Sequence, residues 1–301
     1  MKKVFLYLTV FSSILTSITF TSSAYSANQQ SIAIIDSGIN QELFQGIIAD
    51  QVCILEYSNC PNGLRSMDGA GAANTGVVTN TVLAHGTEMA SIIHQVNPSA
   101  QLIPIKIVGT VSPNAPMIYS NNAVKLALDW VIANRTKYNI TAVNVSQGAI
   151  FAGCQVPAGT QTDVETLKSF NVPVIAATGN NSNRIAMNSI ACLPNVISVG
   201  ATDNPALMGG AAYNPNANPT IGLYSNGNAL TSFYLNGRWI TTEPSGNIQF
   251  NVGTSCSSAA LAGWWTLNYQ GTYSSTYNWL INKSVPASNS WLSGKYIKLP
   301  L

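Results

Sequence analysis

Apolar and polar positions fall into two alternating kinds of segment. Ser31-Ile-Ala-Ile-Ile-Asp36 is a short, continuous apolar run that ends in a carboxylate and the breaker Ser37-Gly38. That is the pattern of a buried strand turning into a loop. Leu102–Val108, Thr141–Ser146, Val172–Ala177 and Asn195–Gly200 repeat it. Between these runs apolar residues recur at spacings of three and four. Val124, Ala127, Leu128, Val131 and Ile132 form one face of a helix, and His85 to Val96 reads as another, stopped at Asn97-Pro98. A further helix is expected from Ser255 to about Tyr269. Strands alternating with helices predict an α/β fold in layers, a central, mostly parallel sheet with helices on both faces. From Ala206 to Gly253 the chain turns to Asn, Gly, Tyr and Thr, which predicts loops and short antiparallel strands. No internal repeat and no long linker divides it, so one domain over residues 27–301 is expected.

Composition narrows the function classes. Of 301 residues, 46% are hydrophobic and 8% charged, which excludes a disordered chain or a coiled coil. Thirteen Lys and Arg face eleven Asp and Glu, and two of the basic residues, Lys2 and Lys3, sit at the extreme front. With no basic run elsewhere, nucleic acid is not an expected partner. Lys2-Lys3, the apolar stretch Val4–Phe20 and the small residues Ala24, Ser26 and Ala27 read as a secretory signal over residues 1–26. A membrane anchor is the competing reading. Ser and Thr interrupt the apolar stretch and no second long apolar run follows, so cleavage and a secreted or periplasmic product free of the membrane are expected.

Five cysteines then belong to an oxidising setting. Cys53 and Cys60 flank a short loop, Cys154 and Cys192 lie further apart, and Cys256 is left over. Two bridges are expected, but spacing alone does not set their connectivity. No pair has CxxC spacing and the chain has only two histidines, so no metal site is assigned.

In parallel sheets, ligands gather beyond the carboxyl ends of the strands. The polar residues at those ends are Asp36, Ser146-Gln147-Gly148 and Gly179-Asn180, with His85 and Ser255 opening helices. A carboxylate, an imidazole, a hydroxyl and an amide are the groups acyl transfer needs.

The words around these residues resemble one family. Ile32-Ala-Ile-Ile-Asp-Ser-Gly-Ile39 resembles the aspartate motif of the subtilisin-like serine proteases, the subtilases. His85-Gly-Thr-Glu-Met-Ala90 resembles their histidine motif, and Gly253-Thr-Ser-Cys-Ser257 their serine motif. Val143-Asn-Val-Ser-Gln-Gly148 is similar to their substrate-binding strand, and Ala176-Ala-Thr-Gly-Asn180 to their oxyanion segment. The order Asp, His, Ser is that of subtilisin, not of chymotrypsin or the α/β-hydrolases.

The resemblance implies a three-layer subtilisin-like fold and an exported serine endopeptidase. Ser255 would be the nucleophile, His85 the base, Asp36 its orienting carboxylate and Asn180 an oxyanion donor. Ser146, Gln147 and Gly148 would offer backbone groups to an extended peptide, and part of Thr110–Tyr119 would flank the other side. Protein or peptide substrates are the implied partners. It also implies a Cys154–Cys192 bridge, as in a secreted bacterial subset. Cys53 and Cys60 lie in the 48-residue connection between Asp36 and His85, read as an insertion with its own bridge that rims the cleft.

Departures are visible. Gln41-Glu-Leu-Phe44 stands where the family has His-Pro-Asp-Leu, Glu88 where it commonly has histidine, Cys256 where it has Met and Ala259 where it has Pro. Catalysis needs no cofactor. Members often bind structural calcium, yet eleven acidic residues and no recognisable loop give no site to name. The first core strand begins within a few residues of the signal, leaving no room for the family's usual pro-segment. Folding unaided, help from another chain (a folding helper or inhibitor acting in trans), or a catalytically silent domain that binds peptides or proteins would each fit that expectation.

Overall fold

The computed structural model describes residues 29–109, 120–148, 154–203 and 219–298. The expected signal and the Thr110–Tyr119 segment lie outside them. Five strands carry the fold: β1 (Ser31–Asp36), β4 (Gln101–Lys106), β5 (Ile140–Val145), β6 (Val174–Ala177) and β7 (Ile197–Asp203). They lie side by side in the order β4-β1-β5-β6-β7, all parallel. Because alternate side chains of a strand leave opposite faces, one strand feeds two cores. Ile32 and Ile34 of β1 join one cluster, while Ala33 and Ile35 join the other.

On the first face lie α1 (Thr81–Val96), α4 (Thr254–Leu267) and α5 (Tyr273–Lys283), contributing Met89, Ile92, Ile93, Leu261, Trp265 and Leu280. On the second lie α2 (Asn121–Asn134) and α3 (Thr160–Ser169), contributing Val124, Leu128, Val131, Val164 and Leu167. Each fully buried Ile or Leu stabilises the fold by roughly 1.5–3 kcal/mol. The three-layer α/β architecture is therefore the one expected. α4 is buried nearly all round, as a helix apolar on every side must be.

The 48-residue connection packs mainly at the edge of the sheet. After a short 3₁₀ helix at Gln41–Phe44, it adds β2 (Val52–Ile54) and β3 (Ser66–Asp68) to the outer edge of the sheet beside β4. A Cys53–Cys60 disulfide closes its loop, and of its residues only Thr81 and Val82, at the start of α1, line the cleft described below. The second disulfide joins Cys154, beyond β5, to Cys192, ahead of β7; Cys256 is free and buried. The Asn-rich stretch holds β8 (Thr220–Ile221), β9 (Phe233–Asn236) and an antiparallel hairpin of β10 (Arg238–Thr242) and β11 (Ile248–Val252). After α5, β12 (Val285–Ser288) and β13 (Ser293–Tyr296) extend the sheet towards β9.

Candidate active site

β1, β5 and β6 are neighbours, so their carboxyl ends bring three sequence-distant polar groups to one rim. Asp36 is the last residue of β1, Ser146-Gln147-Gly148 follows β5, and Gly179-Asn180 follows β6. α1 and α4 place His85 and Ser255 at the same rim. All of these except the buried Asp36 line a cleft of about 510 Å³, whose wall also includes Glu88, Gln249 and Asn251.

His85 is not the first residue of its helix, as the sequence pattern predicted. Asn80 caps α1, its side chain accepting from the N–H groups of Val82 and Leu83, so His85 stands in the second turn. A close backbone approach sets its position. After Asp36 the chain turns through Gly38 (φ +91°), and a Cβ on Gly86 would stand 2.1 Å from the Gly38 carbonyl oxygen. Ser37 fastens the contact: its hydroxyl donates to the Leu83 carbonyl (3.0 Å) and accepts from the Gly86 N–H (2.9 Å). The His85 ring consequently reaches back over Asp36, with Nδ1 at 2.9 and 3.0 Å from the two carboxylate oxygens.

The pair is asymmetric in exposure, 1% for Asp36 and 22% for the His85 side chain, so one imidazole edge faces the cleft. Burial opposes the Asp36 charge, but His85, the Gln147 amide and the Ser37 N–H outweigh it and hold the carboxyl below its usual range. Burial likewise opposes a charged imidazole, and the Asp36 carboxylate overcomes this, raising His85 above the ordinary histidine value, with Glu88 adding to the effect.

Ser255 lies in the first turn of α4, where N–H groups have no intrahelical acceptor. Its hydroxyl donates to the Ser146 carbonyl (3.2 Å), not to His85. The Ser146 hydroxyl braces the same helix, donating to the Ser255 carbonyl (3.3 Å) beside the Ser258 hydroxyl (3.0 Å). Asn180 is oriented by Thr254, whose N–H and hydroxyl both donate to Asn180 Oδ1 (2.9 and 3.0 Å). Among the described residues no acceptor holds the Asn180 NH₂ group. Cys256, one residue past Ser255, points inward; burial pushes its thiol up to about 12, so it is neutral and no rival nucleophile. His94, the other histidine, is two and a half turns along α1 and does not line the cleft.

Two side-chain arrangements were not legible in the sequence. Gln147, expected to offer backbone groups to substrate and to shape the subsites, lays its side chain on the Asp36–His85 pair. Glu88, one turn past His85, accepts from Gln249 Nε2 and Asn251 Nδ2, both at 2.6 Å. Burial pushes its carboxyl up, against the pull of His85 and the two amides. Gln249 and Asn251 thus bind the β10–β11 hairpin to α1, while Ile248, Phe250 and Val252 on the alternate positions of β11 face solvent. Among the described residues no group of three or more His, Cys, Asp or Glu side chains could hold a metal ion, and no helix is long and apolar enough to cross a membrane.

A model of the Subtilase family matches residues 27–285. Among solved structures, the chain is similar to a cold-adapted subtilisin-like serine proteinase, with 17% identity, 92% of each chain covered and a TM-score of 0.62. It is similar to the prenylagaramide maturation protease PagA at 18% identity, covering 88% of this chain and 86% of that one, TM-score 0.61. It is also similar to the epidermin leader peptide processing serine protease EpiP from Staphylococcus aureus, at 14% identity, covering 85% and 70%, TM-score 0.64. At these identities the likeness is one of fold.

Proposed function

The chain belongs to the subtilase family and is a serine-type peptidase, and from that premise we propose that it is an exported endopeptidase working through Asp36, His85 and Ser255 with Asn180 as oxyanion donor. The observation that carries this reading is the buried Asp36–His85 pair opening onto the cleft that Ser255 and Asn180 also line.

On this reading Asp36, by accepting the Nδ1 proton, keeps Nε2 unprotonated and turned to the cleft. When a peptide carbonyl takes position, the Ser255 hydroxyl exchanges the Ser146 carbonyl for His85 Nε2. Catalytic hydrogen bonds commonly tighten only in the substrate complex. The Ser255 proton passes to Nε2 as Oγ bonds to the carbonyl carbon. The resulting oxyanion accepts from the Asn180 NH₂ and from the Ser255 N–H at the start of α4, where the helix dipole also favours negative charge. Collapse breaks the C–N bond, the imidazolium returns its proton to the leaving amine, and water repeats the sequence to free the acid. The backbone after β5, Ser146 to Gly148, pairs with the extended substrate as an added strand. Protein or peptide substrates follow from the family; the two disulfides support the exported, oxidising setting.

The test is labelling of the purified protein with a fluorophosphonate probe. Attachment at Ser255 is expected. A folded protein that takes no label would sink the enzyme reading in favour of a silent, peptide-binding domain. Asn180→Ala removes the side-chain donor while Thr254 and the helix remain, so kcat should fall about 10²- to 10³-fold with KM little changed, the loss known for the corresponding donor of subtilisin, a family relative. Unchanged kcat would remove the oxyanion role from Asn180.

A further inference from the structure

Gln147 lies where two structures meet. Its backbone continues β5, the strand next to β1, and its side chain turns onto the Asp36–His85 pair. Nε2 stands 3.0 Å from Asp36 Oδ1 and 3.1 Å from His85 Nδ1. His85 Nδ1 already lies within hydrogen-bond reach of both Asp36 oxygens. A ring nitrogen that carries a proton cannot also accept one, so the approach of Nε2 to Nδ1 brings donor against donor. The Gln147 amide therefore donates to Asp36 and holds its positive end beside the ring.

Two consequences follow for the base. Asp36 Oδ1 takes three donors, the Ser37 N–H at 2.7 Å, His85 and Gln147. Each draws on the same negative charge, so less of it is left to stabilise an imidazolium. The N–H dipole beside Nδ1 opposes the imidazolium directly.

We propose that Gln147 is a positioning residue: its side-chain amide fixes the Asp36 carboxylate under His85 and moderates the basicity of the imidazole. The charged groups that face His85 are Asp36 from β1 and Glu88 from one turn further along α1. Gln147 is neutral at every pH, so changing it alters the electrostatics without adding a second titration. The assignment leans on the proposed Asp–His–Ser reading only for its kinetic consequence. The effect on the imidazole itself stands apart from turnover.

The experiment is a ¹H–¹⁵N NMR titration of the histidine rings in wild type and Gln147→Met, with kcat/KM followed against pH in both. Methionine keeps the length of the side chain and removes the donor. In the variant the His85 midpoint should move up on the order of half a unit or more. The acid limb of kcat/KM should rise with it, because the base must be neutral to accept a proton. A purely structural role would lower the rate at every pH and leave the limb where it was. A His85 midpoint that is unchanged or lowered overturns the proposal.

If Gln147→Met does not fold, wild type alone decides. The Gln147 side-chain N–H resonances must shift with the His85 midpoint, and a flat response overturns the assignment. A protein whose His85 moves as described but which takes no fluorophosphonate would cost the protease reading and leave this one standing. A labelled, active protein with an unmoved His85 would do the reverse.

Discussion

Ser255→Ala should leave a folded protein with essentially no turnover, a loss on the order of 10⁴- to 10⁶-fold in kcat; the upper figure is that known for subtilisin within the same family. The expectation rests on how little else the hydroxyl does. It donates one hydrogen bond to the Ser146 carbonyl. The packing of α4 comes from other side chains, Leu261 and Trp265 among them, and from Ser257 and Ser258, whose hydroxyls bond within the core. Alanine also favours a helix. Thermal unfolding should therefore change by no more than about 1 kcal/mol, while peptide hydrolysis and fluorophosphonate labelling both disappear. Residual labelling at another serine, or turnover near wild type, would mean that Ser255 is not the nucleophile.

Gly86→Ala should be the most damaging single methyl group that can be added near the site. Its Cβ would stand 2.1 Å from the Gly38 carbonyl oxygen, with the Gly38 carbon and nitrogen at 3.1 Å. All three are backbone atoms, so no side chain can swing away. α1 must lift from the turn after β1, and Ser37 must release the Leu83 carbonyl or the Gly86 N–H. We expect a cost of about 3 kcal/mol, read as a midpoint lowered by roughly 5–10 °C. His85 precedes Gly86, so the 2.9 Å contact with Asp36 should lengthen and activity fall with stability. Gly46→Ala is the control. Gly46 has φ +81° but nothing within 4 Å of its would-be Cβ, so it should cost only about 1 kcal/mol and leave activity alone. A Gly86→Ala protein with wild-type melting and wild-type rate would refute the packing argument.

The contrast between these positions reflects what the sequence could and could not disclose. The parallel strands were legible because both faces are buried, which leaves continuous runs such as Ile32–Ile35 and Leu102–Ile105. α2 was legible from its apolar face. α3 was not, since Thr160–Ser169 turns only Thr160, Val164 and Leu167 fully inward and its mean polarity reads as loop. α1 was entered a turn late because Thr81 to Ala84 is its least buried turn, and only the Asn80 cap marks the start. The motif residues were nameable because each ends or begins an element. The contact of the Gln147 side chain was not, because the destination of its amide depends on the relative register of β1 and β5 and on the tilt of α1, none of which is local. Glu88 stood out as a departure from the family, but its partners lie more than 160 residues further along the chain.

The β10–β11 hairpin has one bonded side and one open side. Gln249 and Asn251 spend their amides on Glu88, while Ile240, Ile248, Phe250 and Val252 are exposed. Because β11 runs straight into Gly253 and Ser255, its inward residues fix where the serine stands, and its outward residues carry no such duty. Variation can therefore accumulate on the outer side at little expense to the chemistry. Those four outward positions are the ones that tolerate randomisation, and the two amides the ones to keep.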